Sequence, residues 1–454
     1  MPDGLEQALD KMRADGAPEV AIENFRHYYE RLAKGETGTI PEDEIEPARD
    51  LPSAADLPEP GDEGREALGR TVTIRLNGGL GTSMGMTAAK TLLEVKEGVT
   101  FLDVIARQVL KLRERYGIRL PLVLMHSFRT REESLKALER YPDLEADVPL
   151  DFVQGRVPKI LADDLTPATS SSDPDLEWAP PGHGDLYTSL VTSGMLEKLL
   201  DSGYEYAFVA NSDNLGAVLE PRIVAWFARE RLPFAMEVLR RSESDRKGGH
   251  IAVRKRDGLV LRESAQTRDE DEDAFQDIDR HRYFNCNNLW LNLRTLAEVL
   301  RERNGVLGLP MIVNKKTLDP SDSSSPAVYQ LETAMGAAID VFEGAAAIEV
   351  KRERFAPVKT TNDLLVVRSD AYELTGDAEM RLVRAEPPLV DLDSQHYKLI
   401  RDFDAHFPAG PPSLKDCDRL TVKGDVVFGA DVVLRGSVAI EGDQRIEDGS
   451  VLEG

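Results

Sequence analysis

The chain has 454 residues, 41% of them hydrophobic and 30% charged, with a net charge of −25. That length exceeds one ordinary core and predicts two or three domains, and the acidic balance excludes non-specific binding to nucleic acid or to anionic membrane. No apolar run is long enough to span a bilayer, and Cys286 and Cys417, without CxxC or Cys/His neighbours, offer neither a disulfide framework nor a zinc site and read as reduced thiols of a cytoplasmic protein.

The N-terminus, MPDGLEQALDKMRADG, is acidic and amphipathic and lacks the basic start and apolar core of a secretory signal. Apolar residues three and four apart predict helices within 1–48. IPEDEIEPARDLPSAADLPEPGDEG (40–64) is rich in Pro, Asp and Glu and predicts an extended or mobile linker. TVTIRL (71–76) is the first strand. Strands and helices then alternate: helix 101–117, strand 120–127, helix 131–141, helix 194–203, strand 206–213, helix 221–232 and strand 234–241. Such alternation, with near-continuous apolar strands, predicts an α/β fold with a mostly parallel sheet covered on both faces. NGG, HSF and NSDN each follow a strand, and ligands in such sheets bind at the strands' carboxyl ends. One crevice can therefore collect all three. Residues 250–266 read as a hairpin with an Asp-Gly turn, and DEDED (269–273) as a solvated loop rather than a metal site. In the tail, Val426, Val432 and Val438 recur every six residues, and so do Phe428, Leu434 and Ile440. Two hexad series point to a short parallel β-helix that must dock on something to bury its core, rather than to an antiparallel meander.

The chemistry starts at LNGGLGTSMGMTAAK (76–90). No GK[ST] closes it, so it is not a P-loop, and its glycine spacing is not the dinucleotide fingerprint. Glycines followed by Lys90 suit a polyphosphate, whose oxygens meet backbone N–H groups and then a point charge; a tight turn alone also explains many such loops. LNGGLGTSMG resembles the nucleotide-binding loop of the eukaryotic-type UTP–glucose-1-phosphate uridylyltransferases, or UDP-glucose pyrophosphorylases. PLVLMHSF, VQGRVPKI, PPGHGDLYTSL, NSDNLGA, KGGHIA, FNCNNLW, MIVNKKTLD, QLETAMGAAI and PVKTTNDLL resemble further blocks of that family, in its order, from about residue 71 to about 450.

The resemblance implies a nucleotidyltransferase (Rossmann-like) sheet with flanking helices over 71–383, preceded by helices and an acidic linker over 1–70. A left-handed parallel β-helix would follow over 384–454. It implies formation of UDP-glucose and pyrophosphate from UTP and glucose 1-phosphate, with Mg²⁺. Leu76, Asn77, Gly78 and Gly79 match the loop that holds UTP, and Lys90 its phosphate-contacting lysine. Gln154 matches a uracil-reading position, Gly182 the backbone beside the base, and His183 a contact to the sugar phosphate. Asn211 and Asp213 match the N-x-D-N block, whose aspartate holds Mg²⁺. Asn288 matches a sugar-contacting position, Glu263 is placed near sugar hydroxyls, and Lys359 matches a second lysine on the reacting phosphates. Taken singly, Asp213 also suits an Asx-turn, His183 a loop histidine and Lys359 a surface lysine. The chain departs from the family at Thr87, Ala89, His126 and Lys159. It stops short of the family's last coil, which argues against an octamer while leaving a smaller homo-oligomer open. Enzymes with another or broader sugar range, and a silent scaffold, are the rival expectations.

Overall fold

A run of β-branched and long side chains at 71–77 has to be covered on both faces to hold as a strand. In the computed structural model, which describes residues 3–454 apart from 97, 172, 256 and 257, it forms Thr71–Asn77 in the middle of a ten-stranded sheet. It runs parallel to Tyr206–Asn211 on one side and to Leu122–His126 on the other, and Asp151–Val153 extends the parallel order. The register aligns Asn211 with Leu76, Asn77 with His126, and His126 with Val153. Four carboxyl ends thus share one edge.

On the far side of Tyr206–Asn211 the direction changes. Tyr283–Asn292 pairs antiparallel with it, with Phe234–Arg240 and with His250–Arg254. The expected mostly parallel sheet is therefore parallel in one half and mixed in the other. Apolar runs do not report direction here, because both halves are covered on both faces. Phe101, Phe208 and Trp290 lie in one core cluster, and Leu186, Val209 and Leu289 in another. The helix Phe101–Tyr116 on the first face starts at a capping box between Thr100 and Asp103 and stops at Gly117, whose φ is +64°.

Two surface segments differ from what their composition predicts. The acidic linker is extended but fixed. Ile40, Ile45, Ala48 and Ala54 are buried, and Ile45–Pro47 adds an edge strand beside His250–Arg254. The acidic run is not a loop but a short 3₁₀ turn, Asp269–Asp271, leading into Glu272–Gln276. Its Asp271 pairs at 3.1 Å with the fully buried Arg262. The hairpin forms between His250–Arg254 and Leu259–Arg262, though Asp257 of its turn lies outside the described residues. The two N-terminal helices, Asp3–Ala14 and Glu19–Ala33, bury Leu5, Ile22, Phe25 and Tyr29 against Val157, Ile160 and Met311.

In the tail, Leu389–Leu392, Ser413–Lys423, Val433–Glu441 and Val451–Glu453 stack as parallel neighbours. Val426–Phe428 and Gln444–Ile446 do the same beside them. From Arg419 onward successive layers are 18 residues apart, as in Asp443 accepting from the Asp425 N–H. That spacing is three hexads, and no meander gives it. The hexad residues Val426, Phe428, Val432, Leu434, Val438 and Ile440 join the first core cluster of the central sheet, so the stack docks on the main body. Between the two, the helices Ser394–Tyr397 and Ile400–His406 form a connector. Leu399 of that connector lies within 3.0 Å of where a Cβ on Gly85 would stand. No helix among the described residues is long and apolar enough to cross a membrane.

Candidate active site

The shared strand edge opens into a crevice. Directly after Thr71–Asn77 the chain turns through its glycines and folds back, the Lys90 N–H donating to the Gly79 carbonyl at 3.0 Å. This return puts Lys90 Nζ 2.7 Å from Asp213 Oδ2, just past the end of Tyr206–Asn211. Backbone pairing brings the third member. Val358 N–H donates to the Asp213 carbonyl at 3.1 Å, and Asn214 bridges to Pro357. Lys359 is therefore the next residue after a strand-like contact with Asp213. It is exposed, and its charge reaches both His183 and Glu263. Lys90, Asp213, Lys359, His183 and Glu263, far apart in sequence, thus meet around one opening.

The loop itself is held from behind. The Asn77 side chain is buried, accepts from Thr91 Oγ1 at 2.6 Å and donates to Ser134 Oγ at 3.0 Å. Only its backbone is left for a ligand. His126 receives the same Asn77 amide at 3.3 Å on Nδ1, and its Nε2 is buried without a partner. Burial lowers the His126 pKa to about 4, so this departure from the family adds no positive charge. Lys159 adds none to the crevice either. It is buried and donates to the Leu318 carbonyl at 2.9 Å. Leu76 and Asn211 sit side by side at the strand ends. The Gln154 amide stands 3.1 Å from where a Gly78 Cβ would be, so a side chain there would crowd it.

The opposite wall comes from Gly182 and His183. Gly182 has φ +78°, and a Cβ on it would sit 2.4 Å from the Thr333 carbonyl oxygen; only glycine fits. This tight joint aims His183 so that its Nδ1 accepts the Met335 N–H at 3.0 Å. Burial, with the Lys359 charge adding, lowers the His183 pKa to about 4. The ring is neutral at pH 7, and its one proton is on Nε2. Glu263 beside it is pushed up by burial, while Lys359 and the Asn285 amide oppose the rise. Its carboxylate lies where a Cβ on Gly249 would fall, at 2.5 Å, which accounts for the second glycine of KGGH.

Asn288 is not part of this opening, contrary to the expectation that it contacts sugar. Its amide donates to Glu237 Oε2 at 2.9 Å and its oxygen accepts from Asn214 at 3.3 Å, both fully buried. Residues alternate faces along a strand, and Asn285, three places earlier, takes the crevice side. Its side chain bonds the Asn287 amide oxygen at 3.0 Å and neighbours Glu263.

The residues that support the site gave weaker signals in sequence. Glu237 is the single carboxylate in the apolar run FAMEVL, and a buried carboxylate demands a cation. Arg354 supplies it through two bonds of 2.7 and 2.6 Å. The Arg354 carbonyl accepts from Asn214 at 3.1 Å, and the Ala356 N–H donates to Asn214 Oδ1 at 2.8 Å. This network fixes the segment that ends in Lys359. Asp185, last residue of GHGD, holds the Gly155 N–H at 2.7 Å and so fixes the turn that carries Gln154. Burial raises the Asp185 pKa to about 6.

Chemically, the arrangement offers two lysines, a neutral imidazole and two partly exposed carboxylates, Asp213 and Glu263. It offers no nucleophile: both cysteines are buried, and burial pushes both thiols up. Asp213 Oδ1 has no partner among the described residues, and a single hard oxygen at a phosphate site fits Mg²⁺, which takes its remaining ligands from phosphate and water.

A family model described as UTP--glucose-1-phosphate uridylyltransferase matches residues 22–435. A UTP--glucose-1-phosphate uridylyltransferase of Hordeum vulgare is 38% identical over 99% of this chain and 95% of its own. Among solved structures, the UDP-glucose pyrophosphorylase of Leishmania major superposes with a TM-score of 0.94 at 46% identity, covering 100% of this chain and 98% of that one. A mutant of the same protein in complex with UDP-glucose gives the same TM-score at 47% identity and the same coverage. The UDP-glucose phosphorylase of Trypanosoma brucei gives 0.92 at 47% identity, over 99% and 98% of the two chains.

Proposed function

The chain belongs to the UTP–glucose-1-phosphate uridylyltransferase family, and on that premise we propose that its crevice joins UTP and α-D-glucose 1-phosphate to give UDP-glucose and pyrophosphate. A phosphate oxygen of the sugar phosphate attacks the α-phosphorus of UTP in line with the departing pyrophosphate. The observation that carries this reading is the convergence of Lys90, Asp213 and Lys359 at one strand edge, Lys90 brought there by its own N–H on the Gly79 carbonyl and Lys359 by the Val358–Asp213 backbone bond. Without a protein nucleophile, catalysis rests on positioning and on neutralising phosphate charge.

Gly78, Gly79 and the backbone of Leu76 and Asn77 would bind the nucleotide, with Gln154 reading uracil beside Gly182. Lys90 and Lys359 would contact the reacting phosphates. His183 would donate its Nε2–H to the sugar phosphate, with Asn211 at the adjoining strand end. Glu263 and Asn285 would meet the sugar hydroxyls. Asp213 would hold Mg²⁺, which when bound offsets charge on the α-phosphate. A net charge of −25 repels both substrates, so these few local cations carry the whole burden of attraction. We read the C-terminal stack as a left-handed parallel β-helix through which two copies can join, and the chain as cytoplasmic.

The test is pyrophosphate release from UTP with Mg²⁺ against a panel of sugar 1-phosphates. Rapid turnover with glucose 1-phosphate and little with galactose or N-acetylglucosamine 1-phosphate is expected. Turnover across the panel would replace the glucose reading by a broad-range one, and silence across it would overturn the proposal.

A further inference from the structure

Away from the crevice, two histidines and an aspartate from separate segments of the tail converge. His396 lies in Ser394–Tyr397, His406 ends Ile400–His406, and Asp425 immediately precedes Val426–Phe428. One ligand atom of each lies within 4.8 Å of the other two. His406 Nδ1 is 2.6 Å from the Asp402 carbonyl oxygen, and its Nε2 is 2.9 Å from Asp425 Oδ1. A carbonyl oxygen only accepts, so Nδ1 carries a proton. In the neutral ring, Nε2 then turns its lone pair on a carboxylate oxygen. Two lone pairs at that distance need a proton or a cation between them.

His396 separates these two alternatives. A proton requires only His406 and Asp425, whereas a cation takes further ligands. The ring of His396 stands with its centroid 6.2 Å from that of His406. The bond from Nδ1–H to a backbone carbonyl is also the arrangement that orients a metal-ligating histidine and frees its other nitrogen. We propose that His396, His406 and Asp425 bind one borderline divalent transition-metal ion, of which Zn²⁺ is the type. Two imidazoles and a carboxylate suit such an ion and not Mg²⁺. Zinc bonds of about 2.0–2.2 Å place tetrahedral donors roughly 3.3 Å apart, a closure that side-chain rotation supplies, and water completes the set.

The ion would pin the connector to the stack. Tyr397 of the connector is already anchored to the Val426 carbonyl, and Leu399 between the two histidines presses on Gly85 of the nucleotide loop. A metal here would therefore stiffen the support of that loop without touching substrate.

Untagged full-length protein, stripped with chelator and dialysed, is titrated with Co²⁺ while its visible absorption is recorded. The chain has only seven histidines, and both cysteines are buried, so competing sites are few. One Co²⁺ per chain is expected, displaced by Zn²⁺ and not by excess Mg²⁺. His396→Gln and Asp425→Asn should each weaken the metal by about tenfold or more. Circular dichroism and turnover of these variants in Mg²⁺ buffer should stay at the wild-type level. Zn²⁺ should raise the Tm of the wild type but not of His396→Gln. Absence of the cobalt band, or a band that survives unchanged in His396→Gln, would overturn the proposal and leave an imidazolium–carboxylate pair in its place.

Discussion

Beneath Asp213, the Glu237 carboxylate accepts four bonds, two from Arg354 and one each from Asn288 and Trp290. Across the same strand, His183 and Glu263 are also sheltered from solvent, but their partners are few and their pKa values are moved away from the ordinary range. In the floor, Glu237 and Arg354 complement each other's charge. The wall is an open set whose polar groups keep unspent bonding capacity for a ligand. Buried polar groups therefore do two jobs in one crevice. A satisfied network fixes geometry, while an incompletely satisfied one is where substrate affinity and pH sensitivity reside.

The largest expected effect falls on the floor. Arg354→Met leaves Glu237 buried and unpaired, and should lower unfolding free energy by roughly 3–5 kcal/mol in urea titration. Turnover should fall with it, since Lys359 loses its support; a variant as stable as wild type would erase the distinction. Lys359→Ala gives the opposite signature. The side chain is exposed, so stability should change by less than about 0.5 kcal/mol, while kcat drops by about 10²–10³-fold. Activity within a few-fold of wild type would remove Lys359 from the chemistry.

The two asparagines sharpen the contrast. Asn288→Ala should cost about 1–3 kcal/mol of stability by orphaning its buried partners, with KM for the sugar phosphate unchanged. Asn285→Ala should instead raise that KM several-fold, and steady-state kinetics on both variants would show a reversed pattern if the faces were assigned wrongly. The smallest effect is in pH. His183 has a depressed folded pKa, so its unfolded form takes up protons first and stability is lost as pH falls from 6.5 toward about 4. Glu263, with a raised pKa, acts in the other sense, its contribution being full below 4.5 and lost as pH rises through the folded value. Removing His183 alone by His183→Gln should make the stability loss between pH 7 and pH 5 shallower than in wild type. Parallel losses would show that His183 is not the group responsible.

Much of this was visible in the sequence. Strands ending in NGG, HSF and NSDN located the edge of the crevice, and two hexad series located the parallel stack. What stayed hidden was direction and facing. Phe234–Arg240 and Tyr283–Asn292 are as apolar as the parallel strands, because coverage and not polarity sets their composition. Burial of Ile40 and Ile45 was masked by the prolines and acids around them. FNCNNLW offers three amides, and nothing in composition says which of them meets the ligand. Glu237 was the readable hint of the floor, being the single carboxylate in a strand whose other charge, Arg240, stands exposed at its end, but its partner Arg354 lies more than a hundred residues away and carries no local mark.

The pairing of that strand has a consequence for how its motif tolerates change. Against Phe234–Arg240, the register shifts by two residues between Asn285 and Leu289, with Asn287 taking a φ of +56°. A strand is read in steps of two, so a surplus of two leaves the frame intact and Asn285 and Asn288 on their opposite faces. Removing both surplus residues would shorten the strand and keep the frame. Removing one would act as a frameshift does in a gene: every side chain on one side of the lesion would exchange sheltered floor for substrate wall. The spacing of N-x-N-N is thus a punctuation mark, guarded by its length as much as by its letters.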